Sequence, residues 1–169
     1  MRVVIQRVNQ ARVVVDGRVV GEIGRGLLAL VGLESTDPTG PESKLPRKFA
    51  DKIVHLRVFE DQTGKMNLSV NDLAAAGGSA PGLLLVPNFT VAGDASKGRR
   101  PSFDGAMRPE QAEPAFASIV HAVREAATPG VRVATGIFRT HMEVTLTNDG
   151  PVTIVIHLSG DEVRHLASA

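Results

Sequence analysis

The chain has 169 residues, 43% hydrophobic and 22% charged, the balance of one compact domain around a single sizeable core. It contains no cysteine, which excludes disulfides and thiolate nucleophiles and leaves zinc to five scattered histidines and carboxylates, so no metal or other cofactor is expected. The formal net charge of +1 demands no polyanionic partner, no apolar stretch approaches the roughly 20 residues that span a bilayer, and the alternating start MRVVIQRVNQ offers no signal core, so a soluble cytoplasmic protein is expected.

Taken in chain order, residues 2–8 and 11–15 alternate as half-buried strands, and Asp16-Gly17 between valine-rich flanks is a strong hairpin signal. The continuous apolar run 26–33 is too short for a typical helix and reads as a strand buried on both faces at the sheet centre. Leu45, Phe49, Ile53, Val54 and Leu56 recur at helical spacing, predicting a first helix. A strand at about 56–60, a turn at 61–64, the stretch 65–70 and a small-residue loop at 74–82 follow. Leu83-Leu84-Leu85-Val86 predicts a second buried strand, which Pro87 ends or leaves at an edge. Pro109 fits a first helical turn, and Phe116, Ile119, Val120 and Val123 carry a second helix to Ala127. Strands are expected at about 131–135, 140–147 and 151–158, with Asn148-Asp149-Gly150-Pro151 as the corner between the last two. A domain over 1–158 and a short polar tail over 159–169 complete this reading.

Three features gather chemistry in loops or at strand ends. Pro87-Asn88-Phe89-Thr90 places an amide, an aromatic ring and a hydroxyl just past a buried strand; the residues alone favour a capped strand end. Lys97-Gly98-Arg99-Arg100-Pro101 could meet phosphates, although such runs are more often a solvated loop. Gly150-Pro151 permits close backbone approach to a ligand, and an ordinary trans turn is the commoner outcome. There is no G-x-S-x-G elbow, H-E-x-x-H, P-loop or Rossmann glycine pattern, and the histidines are not paired at metal-ligand spacing. Trp and Tyr are absent, so any base stacking must use one or two of the six phenylalanines.

Taken together, Val4-Ile5-Gln6-Arg7-Val8, Gly64-Lys65-Met66-Asn67, Phe89-Thr90, Lys97 to Phe103 and Asn148 to Thr153 resemble the D-aminoacyl-tRNA deacylase family, also called D-tyrosyl-tRNA deacylase, in order and approximate spacing from Met1 to about His157. The resemblance implies a homodimer of three-layer α/β/β subunits with mostly antiparallel strands and two main helices. It implies an active site at the dimer interface, where Gly150-Pro151, a cis pair in this family, reaches into the partner's pocket and excludes L side chains. It places Asn88, Phe89 and Thr90 at the ester carbonyl, with Thr90 either the nucleophile or, as the lack of an evident adjacent base favours, only a positioning group; Phe138 falls near the terminal adenine, and Arg7 and Met142 beside the Gly-Pro pair. Lys97, Arg99 and Arg100 would hold the tRNA acceptor end. Where the family usually has Ser-Gln before Phe-Thr, this chain has Pro87-Asn88, which removes a backbone donor and shortens an amide side chain. The leading expectation is therefore hydrolysis of D-aminoacyl-tRNA, and of glycyl-tRNA. Two alternatives are a catalytically silent tRNA-binding or regulatory homologue and an editing hydrolase of altered scope.

Overall fold

The computed structural model describes residues 1–77, 79–159 and the backbone of 162–165. Its main sheet has the order β7-β6-β3-β1-β8-β9, with β2 also paired to β1. β1 (Arg2–Val15) runs antiparallel to β2 (Arg18–Ile23), to β3 (Gly26–Gly32) and to β8 (Glu143–Ser159). β3 pairs in parallel with β6 (Gly82–Pro87), and β6 in parallel with β7 (Arg132–Thr135). Parallel neighbours need crossovers. The β3–β6 crossover carries α1 (Leu45–Val54), a small hairpin of β4 (Phe59–Glu60) and β5 (Met66–Leu68), and the short α2 (Val70–Ala75); the β6–β7 crossover carries α3 (Pro109–Ala126).

Two apolar clusters divide the interior into three layers. Phe49 and Ile53 of α1 and Phe116, Ile119 and Val123 of α3 pack with Val3, Ile5, Leu27, Ala29, Leu83 and Leu85 on one sheet face. On the other, Leu28, Leu84 and Val86 meet Val8, Ala11, Val13 and Ile23. The runs 26–32 and 82–87 are continuously apolar because successive side chains point into opposite layers, both dry. β2 folds over β6 and β7, close enough that a Cβ on Gly21 would lie 2.5 Å from the Thr135 carbonyl oxygen.

Several predicted boundaries move. The stretches 2–8 and 11–15 are one strand, and register shifts at Gln6/Val8 and Val8/Gln10 turn its inward face from the first cluster to the second. The two strands expected at 140–147 and 151–158 are also one, β8, which begins at Glu143 and continues through the expected corner. Gln6 pairs with Thr153 and Val8 with Asn148, so residues 149–152 stand opposite Arg7 alone and are pushed out of the ladder. The first helix stops at Val54, and the strand expected at 56–60 keeps only Phe59 and Glu60. α2 lies between the predicted stretch 65–70 and loop 74–82; Ser69 accepts from the Asp72 N–H while the Asp72 carboxylate accepts from the Ser69 N–H, a capping box. Within the tail, Glu162–His165 forms β9 on β8, while 160, 161 and 166–169 lie outside the described residues.

Candidate active-site groove

The carboxyl ends of β3, β6 and β7 open onto one groove of about 840 Å³. Open α/β sheets bind ligands at this end of their parallel strands. Leu30 and Val31 of β3 and Val86 and Pro87 of β6 line its base, the start of α3 one wall, and residues 138–142 another. Phe138 leans on Phe116 of α3 with ring centroids 6.4 Å apart. Gly136 lets this wall close, since a Cβ there would lie 2.7 Å from Met142 Sδ and 3.4 Å from Pro87 Cδ.

Asn88, Phe89 and Thr90 occupy the turn after β6, and Phe89–Ala92 is a single 3-10 turn. The Asn88 N–H donates to the Val31 carbonyl at 2.8 Å, which anchors the turn on β3. Within a strand, a residue's N–H and C=O face the same neighbour, and Leu85 C=O accepts from the Gly136 N–H on the β7 side. The missing N–H of Pro87 would therefore face the side on which β7 has already ended, so the ladder loses no bond to the proline. The Asn88 side-chain oxygen accepts from the Thr90 N–H at 3.1 Å and from the Thr90 hydroxyl at 2.5 Å, and the Asn88 carbonyl accepts from the Val91 N–H at 3.3 Å. The first N–H of such a turn has no acceptor within it, and here that donor belongs to Phe89.

The rim carries two arginines and a histidine, Arg108, Arg139 and His141. Arg139 adopts φ 59, a left-handed conformation uncommon for an arginine, and its guanidinium meets Glu110 at 2.9 Å. The Glu110 carboxyl lies below its ordinary pKa because its own backbone N–H bonds it and Arg139 adds attraction. Lys97, Arg99 and Arg100 are exposed on a loop whose stem is closed by paired backbone bonds between Asp94 and Ser102, each 2.8 Å, just before Phe103 of the groove.

The corner of β8 is built separately. Gly150-Pro151 is a cis peptide, both residues are exposed, and among the described residues neither lines the groove of its own chain. Asn148 closes the extruded segment by accepting from the Val152 N–H at 3.1 Å and donating to the Val152 carbonyl at 3.2 Å. Arg7, nearly buried, holds it from beneath: its Nε donates to the Asp149 carbonyl at 3.0 Å and lies 3.2 Å from Asp149 Oδ2, while Nη1 donates to the Val58 carbonyl at 2.5 Å.

The model of the D-Tyr-tRNA(Tyr) deacylase family matches residues 4–157, which include both the groove at the strand ends and the Gly-Pro corner. The chain belongs to this family. The D-aminoacyl-tRNA deacylase of Pelobacter propionicus is 51% identical over 156 residues, which are 92% of this chain and 99% of that protein. That of Symbiobacterium thermophilum is 49% identical over 156 residues, 92% of this chain and 95% of its own. Among solved structures, a c-Myc DNA Unwinding Element Binding Protein superposes with a TM-score of 0.79 at 35% identity, covering 94% of this chain and 99% of that one. A probable eukaryotic D-amino acid tRNA deacylase superposes at 0.73 with 19% identity, covering 91% and 97%, a likeness of fold.

In this deacylase-family chain, Asn88, Phe89, Thr90, Phe138 and Met142 come together in the groove, whereas Arg7, Gly150 and Pro151 form the corner and Lys97, Arg99 and Arg100 the neighbouring loop. Sequence reasoning missed Arg108, Arg139 and His141 on the rim. Arg108 could have been flagged as the residue before the helix-starting Pro109; nothing local in the sequence marks Arg139.

Proposed function

We propose that this chain hydrolyses the ester between a D-amino acid, or glycine, and the 3′ end of tRNA, releasing the free amino acid and tRNA. Beyond family membership, the observation that carries this reading is the turn after β6, whose first N–H, that of Phe89, has no acceptor within the turn, at the edge of a largely apolar groove of a size to take an aminoacyl-adenosine.

The chemistry asks little of the protein, because an aminoacyl ester is already activated. Water adds to the carbonyl carbon, and the charge that develops on the carbonyl oxygen is met by the Phe89 N–H. The terminal ribose 2′-OH relays the proton from the attacking water toward the 3′ oxygen, which leaves as the carbon–oxygen bond breaks. Thr90 is not the nucleophile: its hydroxyl donates to the Asn88 amide oxygen, which is not a base, and among the described residues no carboxylate or imidazole bonds it. Thr90 and Asn88 instead set the shape of the turn, and Phe138 supports the terminal adenine.

Chiral selection belongs to Gly150-Pro151 acting across a homodimer. The pair projects from the sheet, is braced by Arg7 and Asn148, and lies off its own groove, the arrangement expected of an element that enters the groove of a second copy beside Met142. Backbone set against the substrate's α-carbon leaves no room for an L side chain and admits glycine. Lys97, Arg99 and Arg100 hold acceptor-end phosphates. Residues 1–158 form the deacylase domain, working in the cytoplasm on charged tRNA in translation quality control.

The test is release of amino acid from D-Tyr-tRNA, L-Tyr-tRNA and Gly-tRNA at matched enzyme concentrations. Cleavage of the D and glycyl esters with the L ester spared is expected. Binding of tRNA with no ester cleaved would replace this reading with a silent binding module.

A further inference from the structure

The chain has only six aromatic side chains, all phenylalanine, and exposes two of them side by side. Phe89 is 59% and Phe103 39% exposed, while Phe49 and Phe59 are fully buried and Phe116 nearly so. The two exposed rings meet edge to face, centroids 5.2 Å apart and 71° between planes, and both line the groove. The arrangement is held rather than incidental. A Cβ on Gly93 would sit 2.8 Å from the Phe103 ring, so the ring rests on bare backbone.

Two adjoining exposed rings in a groove offer a ligand about 25 cal/mol for each Å² of apolar surface it removes from water. The surroundings say which. Phe103 follows directly the Asp94/Ser102 stem that carries Lys97, Arg99 and Arg100, and Arg108 and Arg139 border the same groove. The acids nearby are turned to their own neighbours: Asp94 accepts from the Ser96 N–H at 2.8 Å, Asp104 from the Ser102 hydroxyl at 2.9 Å, and Glu110 holds Arg139. Exposed aromatic rings near exposed cations are the combination that binds single-stranded nucleic acid, bases on rings and phosphates on arginines.

We propose that Phe103, propped by Phe89, is a stacking platform for an unpaired base upstream of the terminal adenosine. This rests on the deacylase reading of the groove and extends it: Phe138 serves the terminal base, Phe103 a preceding one, and the 97–100 loop the phosphates beyond. Phe103 thereby separates a full tRNA end from a bare aminoacyl-adenosine.

The experiment compares kcat/KM for D-Tyr-tRNA and for 3′-O-D-tyrosyl-adenosine, which keeps the ester and terminal nucleoside but no upstream base, in wild type, Phe103→Leu and Phe103→Tyr. Leucine keeps apolar bulk without a π face, and tyrosine keeps the face. Phe103→Leu is expected to lose roughly tenfold on D-Tyr-tRNA, through KM rather than kcat, with a much smaller change on the adenosine ester, and Phe103→Tyr to restore the loss. Equal loss on both substrates, no loss on either, or a shift of oligomeric state in sedimentation with equal loss would overturn the platform; the last would assign the rings to a second copy of the chain. If wild type cleaves neither ester, the deacylase reading has failed separately. The platform then stands or falls on binding of a short single-stranded RNA ending in CCA, weakened by leucine and kept by tyrosine, or unaffected by both.

Discussion

At the scale of single residues, the proposed hydrolysis rests on the turn after β6. The Thr90 hydroxyl and N–H both converge on the Asn88 side-chain oxygen, so one amide organises the turn. Thr90→Ala removes one hydrogen bond, a loss on the order of 1 kcal/mol, and kcat/KM on D-Tyr-tRNA is expected to fall by about tenfold at most. Removing a nucleophile costs on the order of 10⁴-fold or more. Single-turnover kinetics of Thr90→Ala distinguish the two, and collapse of the chemical step with tRNA binding intact would make Thr90 the nucleophile after all. The composition of this turn was legible in the sequence, but its wiring was not. Pro87-Asn88 reads as the loss of a donor and a methylene; the strand register shows that the lost donor would have faced the end of β7, and the shorter amide reaches Thr90.

At the scale of elements, what was readable followed period and what was missed followed register. The doubly buried strands 26–32 and 82–87 and the helices at 45 and 109 came from hydrophobic pattern, since burial there depends on the chain's own alternation. The merging of 143–159 into one strand depends on β1 being long enough to pair on both sides of the corner, which no local signal carries. The ends of these long strands are tied by charge. Glu34, just past β3, accepts from the Met1 ammonium at 2.9 Å and from Arg2 at 2.9 Å, and pairs with His157 of β8 at 2.8 Å; Asp37 also holds the ammonium. Burial raises the Glu34 pKa, but the ammonium and then His157 outweigh it and hold the carboxyl below its ordinary value. A depressed folded pKa gives stability that is complete above the ordinary glutamate pKa of about 4.3 and is lost as pH falls through the lower folded value. Glu34→Gln is expected to cost about 1–3 kcal/mol at neutral pH and to converge on wild type in acid. Urea midpoints of both proteins from about pH 7 to pH 3 read this directly, and a gap that stays constant over that range would remove Glu34 from the acid sensitivity.

At the scale of the whole molecule, the proposed site draws on two places on one chain. The groove at the ends of β3, β6 and β7 holds the turn of Asn88, Phe89 and Thr90, and the corner of β8 carries Gly150-Pro151, which does not line that groove. If a second copy completes each site, a chain whose groove is blocked can still lend its corner. Thr90→Trp, at an exposed groove position, is expected to obstruct the groove and inactivate the chain, while Pro151→Ala is expected to leave an active chain that cleaves both D- and L-Tyr-tRNA. In a mixed dimer, the one open groove belongs to the Pro151→Ala chain and receives the native corner of the blocked chain. Adding the inactive chain in excess, with refolding to exchange partners, should therefore restore D-over-L selectivity while leaving D-ester cleavage per open groove in place. Selectivity can rise in this way only if corner and groove come from different chains. A site made within one chain would keep the relaxed D-to-L ratio at every mixing proportion, and that outcome would return Gly150-Pro151 to a structural corner of β8.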